Sequence, residues 1–192
     1  MNISKISTLI TLTSALASFS VNAGNSYSGF LSAGIVDAKA TYELEGIDQA
    51  PSGFGINYAF IQPGNNLGVI FGIQTSSDDG VYYYEGRTLD ASLDMSDFSV
   101  GPIYRFENAN WLKLYPTVGV TYFDGEIWVS GGSEGQYSIR DDDLWFNYGL
   151  GLQVSLPYTP IFLDFNYKVI VPSGNYSEFD IDSFYLGVGY SF

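Results

Sequence analysis

The chain of 192 residues has no cysteine and no histidine, and only 7 of its residues are Lys or Arg. Each shortage excludes something. Without cysteine there is no disulfide framework, no thiolate nucleophile and no lipid attachment through sulfur. Without histidine, the side chain that most often serves as general base or zinc ligand is missing. With 21 acidic residues against 7 basic ones, the formal net charge is −14, which opposes nucleic acid and anionic head groups. Long apolar runs are also lacking: beyond the first residues no stretch approaches the ~18 needed for a membrane-crossing helix.

What is present is aromatic and periodic. Aromatic residues make up 17%, with 16 Tyr and 14 Phe, and there are 22 Gly. Tyrosine suits a membrane–water boundary, because its ring is apolar and its hydroxyl is wet. Residues 1–23 read as an export signal. Lys5 is their one charge, Ile6 to Phe19 is mildly apolar, and Val21-Asn22-Ala23 offers small residues for cleavage. The remaining 24–192 has room for one domain.

The clearest pattern is the last one. Phe184, Leu186, Val188, Tyr190 and Phe192 alternate with Tyr185, Gly187, Gly189 and Ser191, a period of two that makes one strand face greasy and the other thin. The same period recurs upstream, with outward series that include Leu31 to Ile35, Phe54 to Phe60, Leu67 to Ile73, Phe98 to Tyr104, Leu112 to Tyr122, Leu144 to Val154 and Ile161 to Val169. Pro102 within the fourth series requires a gap or bulge in the hydrogen-bond ladder, since it has no amide donor. Short turns at Gln62 to Asn66, Glu107 to Asn110 and Pro157 to Pro160 alternate with long polar segments at about 38–50, 75–90, 124–143 and 172–180. Eight strands, three turns and four loops describe an all-β, eight-stranded antiparallel up-and-down transmembrane barrel, with both termini in the periplasm. All but Glu107 and Asp164 of the acidic residues fall in the long segments or their flanks, so the four extracellular loops are expected to be acidic.

An eight-stranded barrel has a lumen only wide enough for side chains. The inward phase names Asn57, Gln74, Arg105, Lys113, Tyr115, Asn147, Gln153, Asp164, Asn166 and Lys168 as its lining. The interior charges Arg105, Lys113, Asp164 and Lys168 make it slightly positive unless Glu107 reaches in. A hydrogen-bonded plug is expected there, not a pore. Tyr82, Tyr83, Tyr84 and Trp128 are loop candidates for gripping a partner, with an aromatic belt at the membrane rim as the plainer reading. Asp141-Asp142-Asp143 and Asp78-Asp79 have carboxylate oxygens that could hold calcium; a solvated loop without an ion is the expected state, and no metal or other cofactor is assigned.

Several stretches together carry a family resemblance. Leu67-Gly68-Val69-Ile70, Gly101-Pro102-Ile103-Tyr104-Arg105, Tyr148-Gly149-Leu150-Gly151-Leu152-Gln153, Leu163-Asp164-Phe165-Asn166-Tyr167 and Gly187-Val188-Gly189-Tyr190-Ser191-Phe192 resemble, in order and spacing, the Ail/Lom/OmpX family of outer-membrane barrels. The loops match nothing comparable. The resemblance implies a non-enzymatic outer-membrane protein, embedded in lipid as a monomer, whose loops meet a host or surface protein in adhesion or resistance to serum killing. It also implies that Leu186, Val188, Tyr190 and Phe192 form the signal read by the barrel assembly machinery, with a purely lipid-facing role as the plainer alternative. A structural envelope protein with no ligand and a small passive pore are the alternatives.

Overall fold

The computed structural model describes residues 28–41, 48–84, 87–130, 137–173 and 180–192; residues 1–23, read above as an export signal, lie outside them. Nine strands follow in order: β1 (Ser28–Thr41), β2 (Asp48–Gln49), β3 (Ser52–Ile61), β4 (Leu67–Tyr84), β5 (Arg87–Phe106), β6 (Ala109–Ser130), β7 (Tyr137–Ser155), β8 (Ile161–Val171) and β9 (Asp180–Ser191). All neighbours are antiparallel. β1 pairs with β9 from Phe30↔Ser191 to Thr41↔Asp180, which closes the sheet into a barrel of eight strands. The two-residue β2 sits outside the ring and pairs only with Ala40 and Thr41. Closure matters energetically: in lipid an unpaired backbone amide has no water to turn to, so a spanning sheet must have no open edge.

The wall is inside out relative to a soluble protein. Val118, Leu150 and Val188 are each more than half exposed, whereas Asn57, Asn147 and Asp164 are buried. Tyr104 and Phe106 lie outward at the periplasmic end, and Phe54, Phe98, Tyr122 and Phe146 at the other, as interfacial girdles do. The ladder between β5 and β6 is broken between Val100↔Val118 and Tyr104↔Leu114. Pro102 and Pro116 face each other across that gap, so each missing amide falls where no bond is made. Gly101 lets the strands close up there: a Cβ on it would come within 1.8 Å of the Pro116 carbonyl oxygen.

Two of the expected loops are strands. The segments at 75–90 and 124–143 continue the pairing of the wall without a register shift, up to Tyr84↔Arg87 and Val129↔Tyr137. Apolar alternation fades beyond the membrane because water, not lipid, meets the outward face, but the backbone ladder does not depend on that alternation. β4, β5, β6 and β7 therefore reach 18, 20, 22 and 19 residues, against 10 for β3 and 11 for β8. Four strands stand above the apolar band as a sheet.

Candidate functional site: the barrel interior and the sheet above the membrane

The lumen is stacked in layers. At the periplasmic end Phe30, Ala59, Ile61, Ile70, Ile103, Tyr115 and Phe162 form one apolar cluster. At the outer end Ala38, Ala40, Leu93, Met95, Trp145, Ile170 and Ile181 form another, with Phe123 stacked on Trp145 at 4.2 Å between ring centroids. Polar groups fill the space between. Large inward side chains are accommodated by inward glycines: a Cβ on Gly151 would lie 2.0 Å from the Tyr115 ring, and one on Gly189 2.2 Å from Phe162.

Two carboxylates organise the polar layer. Asp164 accepts hydrogen bonds from Tyr115 Oη (2.6 Å), Asn57 Nδ2 (3.0 Å), Gln153 Nε2 (3.3 Å) and Ser32 Oγ. Tyr185 Oη donates in turn to Ser32 Oγ at 3.1 Å. Asp97 forms an ion pair with Lys168 and accepts from Thr121 Oγ1 (3.0 Å) and Asn147 Nδ2 (2.9 Å). Lys113 donates to Ser155 Oγ at 3.0 Å, and its ammonium lies 4.3 Å from the Phe30 ring centre and 5.4 Å from that of Phe162. Such cation–ring contacts offset part of the cost of burying the charge. Beside the ion pair lies a cavity of about 10 Å³ bordered by Gln74, Ser76, Thr121 and Ser183, with room for one water at most.

Of the four expected interior charges, Lys113, Asp164 and Lys168 are fully buried. Arg105 is not. It occupies an inward register position at the periplasmic mouth, where its guanidinium donates to the Asn65 carbonyl at 3.3 Å in an exposed bond. Lys113 stands directly opposite it, and like charges across a pair repel, so the longer side chain turns to water. Glu107 does not reach in either; it accepts from Asn66 Nδ2 at 2.9 Å on the surface. The second interior anion is Asp97, expected among the acidic residues of the second loop and the start of the fourth strand and not in the lining. Its signal was available: Asp97 continues the inward phase of Ser99, Gly101 and Ile103. The buried charges thus balance, two against two, where a slight positive excess was expected.

The segments expected to be acidic loops are different objects. Across β4–β5–β6–β7 the register sets Ser77, Asp94, Asp124 and Asp142 in one outward row. Asp79, Ser92, Glu126 and Arg140 form the next, and Val81, Asp90, Trp128 and Ser138 a third. Six carboxylates share this face with one cation, Arg140, which donates to Asp124 from Nε at 3.2 Å and from Nη2 at 2.8 Å. That forked contact raises the pKa of the guanidinium. Trp128 is 52% exposed and Val81 57%. Tyr82, Tyr83 and Tyr84 lie on β4 and their side chains are outside what the structure describes. Asp141, Asp142 and Asp143 are consecutive on a strand, so they alternate between faces and do not converge on one ion. Asp143 is occupied otherwise: it accepts from Leu144 N (2.7 Å), Trp145 Nε1 (3.1 Å) and Ser173 Oγ (3.1 Å). Asp78 accepts from Ala50 N at 2.9 Å. Among the described residues no three metal-ligating side chains are grouped.

A closed, lipid-facing, eight-stranded antiparallel barrel with a filled lumen defines an outer-membrane barrel protein, and comparison agrees. The chain belongs to the outer membrane protein beta-barrel domain family, whose model matches residues 6–192. Within it the chain is of the OmpX/Ail type: it is 27% identical over 191 residues to outer membrane protein X of Enterobacter cloacae, covering 98% of this chain and 99% of that one. The crystal structure of Ail, the attachment invasion locus protein of Yersinia pestis, superimposes with a TM-score of 0.67 at 20% identity, over 87% of this chain and 99% of that one. A second Ail crystal structure, in complex with the heparin analogue sucrose octasulfate, gives 0.64 at 21% identity over the same shares. At these identities the structural likeness establishes the fold, and the family and the full-length relative place the protein in the outer membrane.

Proposed function

We propose that this barrel is a cell-surface interaction protein of the adhesion and virulence type, acting through the sheet that β4 to β7 raise above the membrane. One observation carries the reading: the sheet outruns its neighbours. β3 stops where Ser52 meets Ser77, and β8 stops where Val171 meets Phe146. Beyond those points β4 and β7 each have one side that no strand covers among the described residues. Unpaired strand edges are templates for a partner's strand, and natural proteins usually blunt them. Here they are held above the barrel by continuous strand pairing.

The lumen supports the same reading by disfavouring the pore. Two apolar clusters, one toward each end, with a charge-balanced polar layer between them, argue against a water-lined path. The reading is non-enzymatic and monomeric. It includes removal of residues 1–23 on export, which mass measurement of the purified protein tests directly. It also includes recognition of Leu186, Val188, Tyr190 and Phe192 by the assembly machinery; all four are exposed on the lipid side of β9 or at its end, where a signal must be before insertion.

The ligand class differs from that of the Ail complex. A sulfated sugar is polyanionic, and six carboxylates on the outward face of this sheet oppose it. A protein is the partner the surface fits. The test is attachment. The chain is expressed in a non-adherent bacterium, and cells bound to epithelial monolayers and to matrix-coated wells are counted, beside a version with the β4–β5 and β6–β7 hairpins shortened to the level of Phe98 and Phe146. Binding by the full chain alone is the expected result. Equal counts, with both barrels shown to be at the surface, would move the function to envelope structure.

A further inference from the structure

The outward face of the raised sheet has chemistry of its own, distinct from its edges. Between the last aromatic row of the wall, at Tyr122, and Trp128 the outward positions of β6 are Asp124 and Glu126. Six residues of strand cover ~20 Å, or ~14 Å in height at the usual ~45° tilt. Trp128 therefore stands clear of the lipid girdle, and two carboxylates separate it from that belt. The belt reading does not explain it.

Its β5 and same-strand neighbours are acidic, while on β7 Ser138 is opposite it and Arg140 is opposite Glu126. Asp90 is directly opposite on β5, at ~4.5–5.5 Å between Cβ atoms. Glu126 is the next outward residue on its own strand. Val81 lies in the same row on the far side of Asp90. The row nearest the membrane sets Asp94 against Asp124 and Asp124 against Asp142; like charges directly opposed weaken a sheet. In that row Asp124 is paired with Arg140, and Tyr122 Oη donates to Asp142 at 3.1 Å. An exposed indole flanked by carboxylates, with an aliphatic residue one strand beyond, is complementary to a guanidinium or ammonium group set beside an apolar one.

We infer that this face docks a basic polypeptide segment, with an Arg or Lys over Trp128 between Asp90 and Glu126 and an apolar side chain against Val81. The inference rests on the surface-interaction reading and adds to it the chemistry of the partner. A net charge of −14 also speeds the approach of a cationic partner from a distance.

The experiment uses the full mature barrel in nanodiscs and three fluorescein-labelled ten-residue peptides: alternating Arg and Val, alternating Glu and Val, and alternating Arg and Ser. Anisotropy titrations are run at low and at physiological salt on the wild type, on Trp128→Ala, and on the Asp90→Asn/Glu126→Gln double variant. All three substituted positions are on the surface, and folding is checked by the shift in gel mobility on heating. The Arg–Val peptide is expected to bind the wild type, more weakly as salt rises, and to lose about tenfold or more in each variant. The Arg–Ser peptide should bind less tightly than Arg–Val, and the Glu–Val peptide not at all. No binding of Arg–Val to the wild type overturns the inference, and so does equal binding by the variants. Binding that appears only to lipopolysaccharide vesicles with added magnesium overturns it too, since the face would then be a cation-bridged lipid contact. The variants also enter the attachment assay. Normal attachment by the double variant, with loss on hairpin shortening, would sink this inference and leave the function standing. No attachment by any version would sink the function, while the peptide titration still decides the inference.

Discussion

Strand β6 passes through two environments on one backbone. From Leu112 to Tyr122 its outward residues are apolar and meet lipid; from Asp124 to Trp128 they are two acids and an indole that meet water. The ladder to β7 runs unbroken from Leu112↔Val154 to Val129↔Tyr137. Pairing is thus indifferent to the solvent, while side-chain chemistry changes within one residue pair. The two regions also treat charge differently. Below, Asp97 and Lys168 are sealed in the lumen; above, Asp124 and Arg140 pair in the open. In one region a charge must be matched, in the other it needs only water.

The largest effect should come from breaking that match. Lys168→Met strands Asp97 in the sealed layer and is expected to cost ~3–5 kcal/mol of unfolding free energy. Adding Asp97→Asn, which still accepts from Thr121 and Asn147, should recover most of the loss. Arg140→Met should leave the unfolding midpoint where it was. Denaturant titrations of the barrel in lipid compare all three, and a midpoint shift for Arg140→Met as large as that for Lys168→Met would erase the distinction between the regions.

Next in size is the outward face. Val118→Arg, near the middle of the apolar band, should destabilise by ~2–4 kcal/mol. Val81→Arg, on the same side of the wall but above the membrane, should change stability by about nothing. Both start more than half exposed, so exposure alone predicts equal effects, and the same titration separates the two accounts.

Tyr158 tests the turns. It is fully exposed with φ of 62°, a left-handed conformation that Asn tolerates better than Tyr. Tyr158→Asn is expected to stabilise by about 1 kcal/mol. An unchanged or lowered midpoint would mean that the ring contributes at the periplasmic face.

The smallest effect lies at the boundary between the regions. The Asp143 carboxyl is held below its usual range by the Leu144 amide first, then by the Trp145 indole and the Ser173 hydroxyl. Its folded pKa is below its unfolded one, so its contribution is present above the unfolded value and is lost as pH falls through the folded value. Lowering pH from about 6 to about 3 should therefore reduce the melting temperature of the wild type more than that of Asp143→Asn. Parallel curves for the two would show that these bonds hold nothing at the rim.

The barrel was legible because lipid imposes a simple rule: every second residue of a spanning strand must be apolar, and Phe98 to Tyr104 or Phe184 to Phe192 obey it openly. Lys113, Asp164 and Lys168 were placed by the same phase. Asp97 escaped because Asp90 and Asp94 precede it closely, so it reads as the end of an acidic segment and not as the start of the inward phase of Ser99 and Gly101. The raised sheet escaped for a deeper reason. Asp78, Asp90, Asp124 and Asp141 lie in segments whose composition is that of a loop, and nothing local distinguishes a paired polar strand from a polar loop.

The sequence by itself determined that this chain is a barrel, which face of each spanning strand meets lipid, and which chemistries it lacks, because all three follow from residue type and a period of two. Only the tertiary structure decided that Asp97 meets Lys168 across 71 residues of sequence. It alone turned Arg105 out to the mouth, closed the lumen with apolar clusters at both ends, and made two acidic segments a paired sheet. Those outcomes depend on register and on which strands end first, and register is a property of pairs of strands that no single stretch encodes.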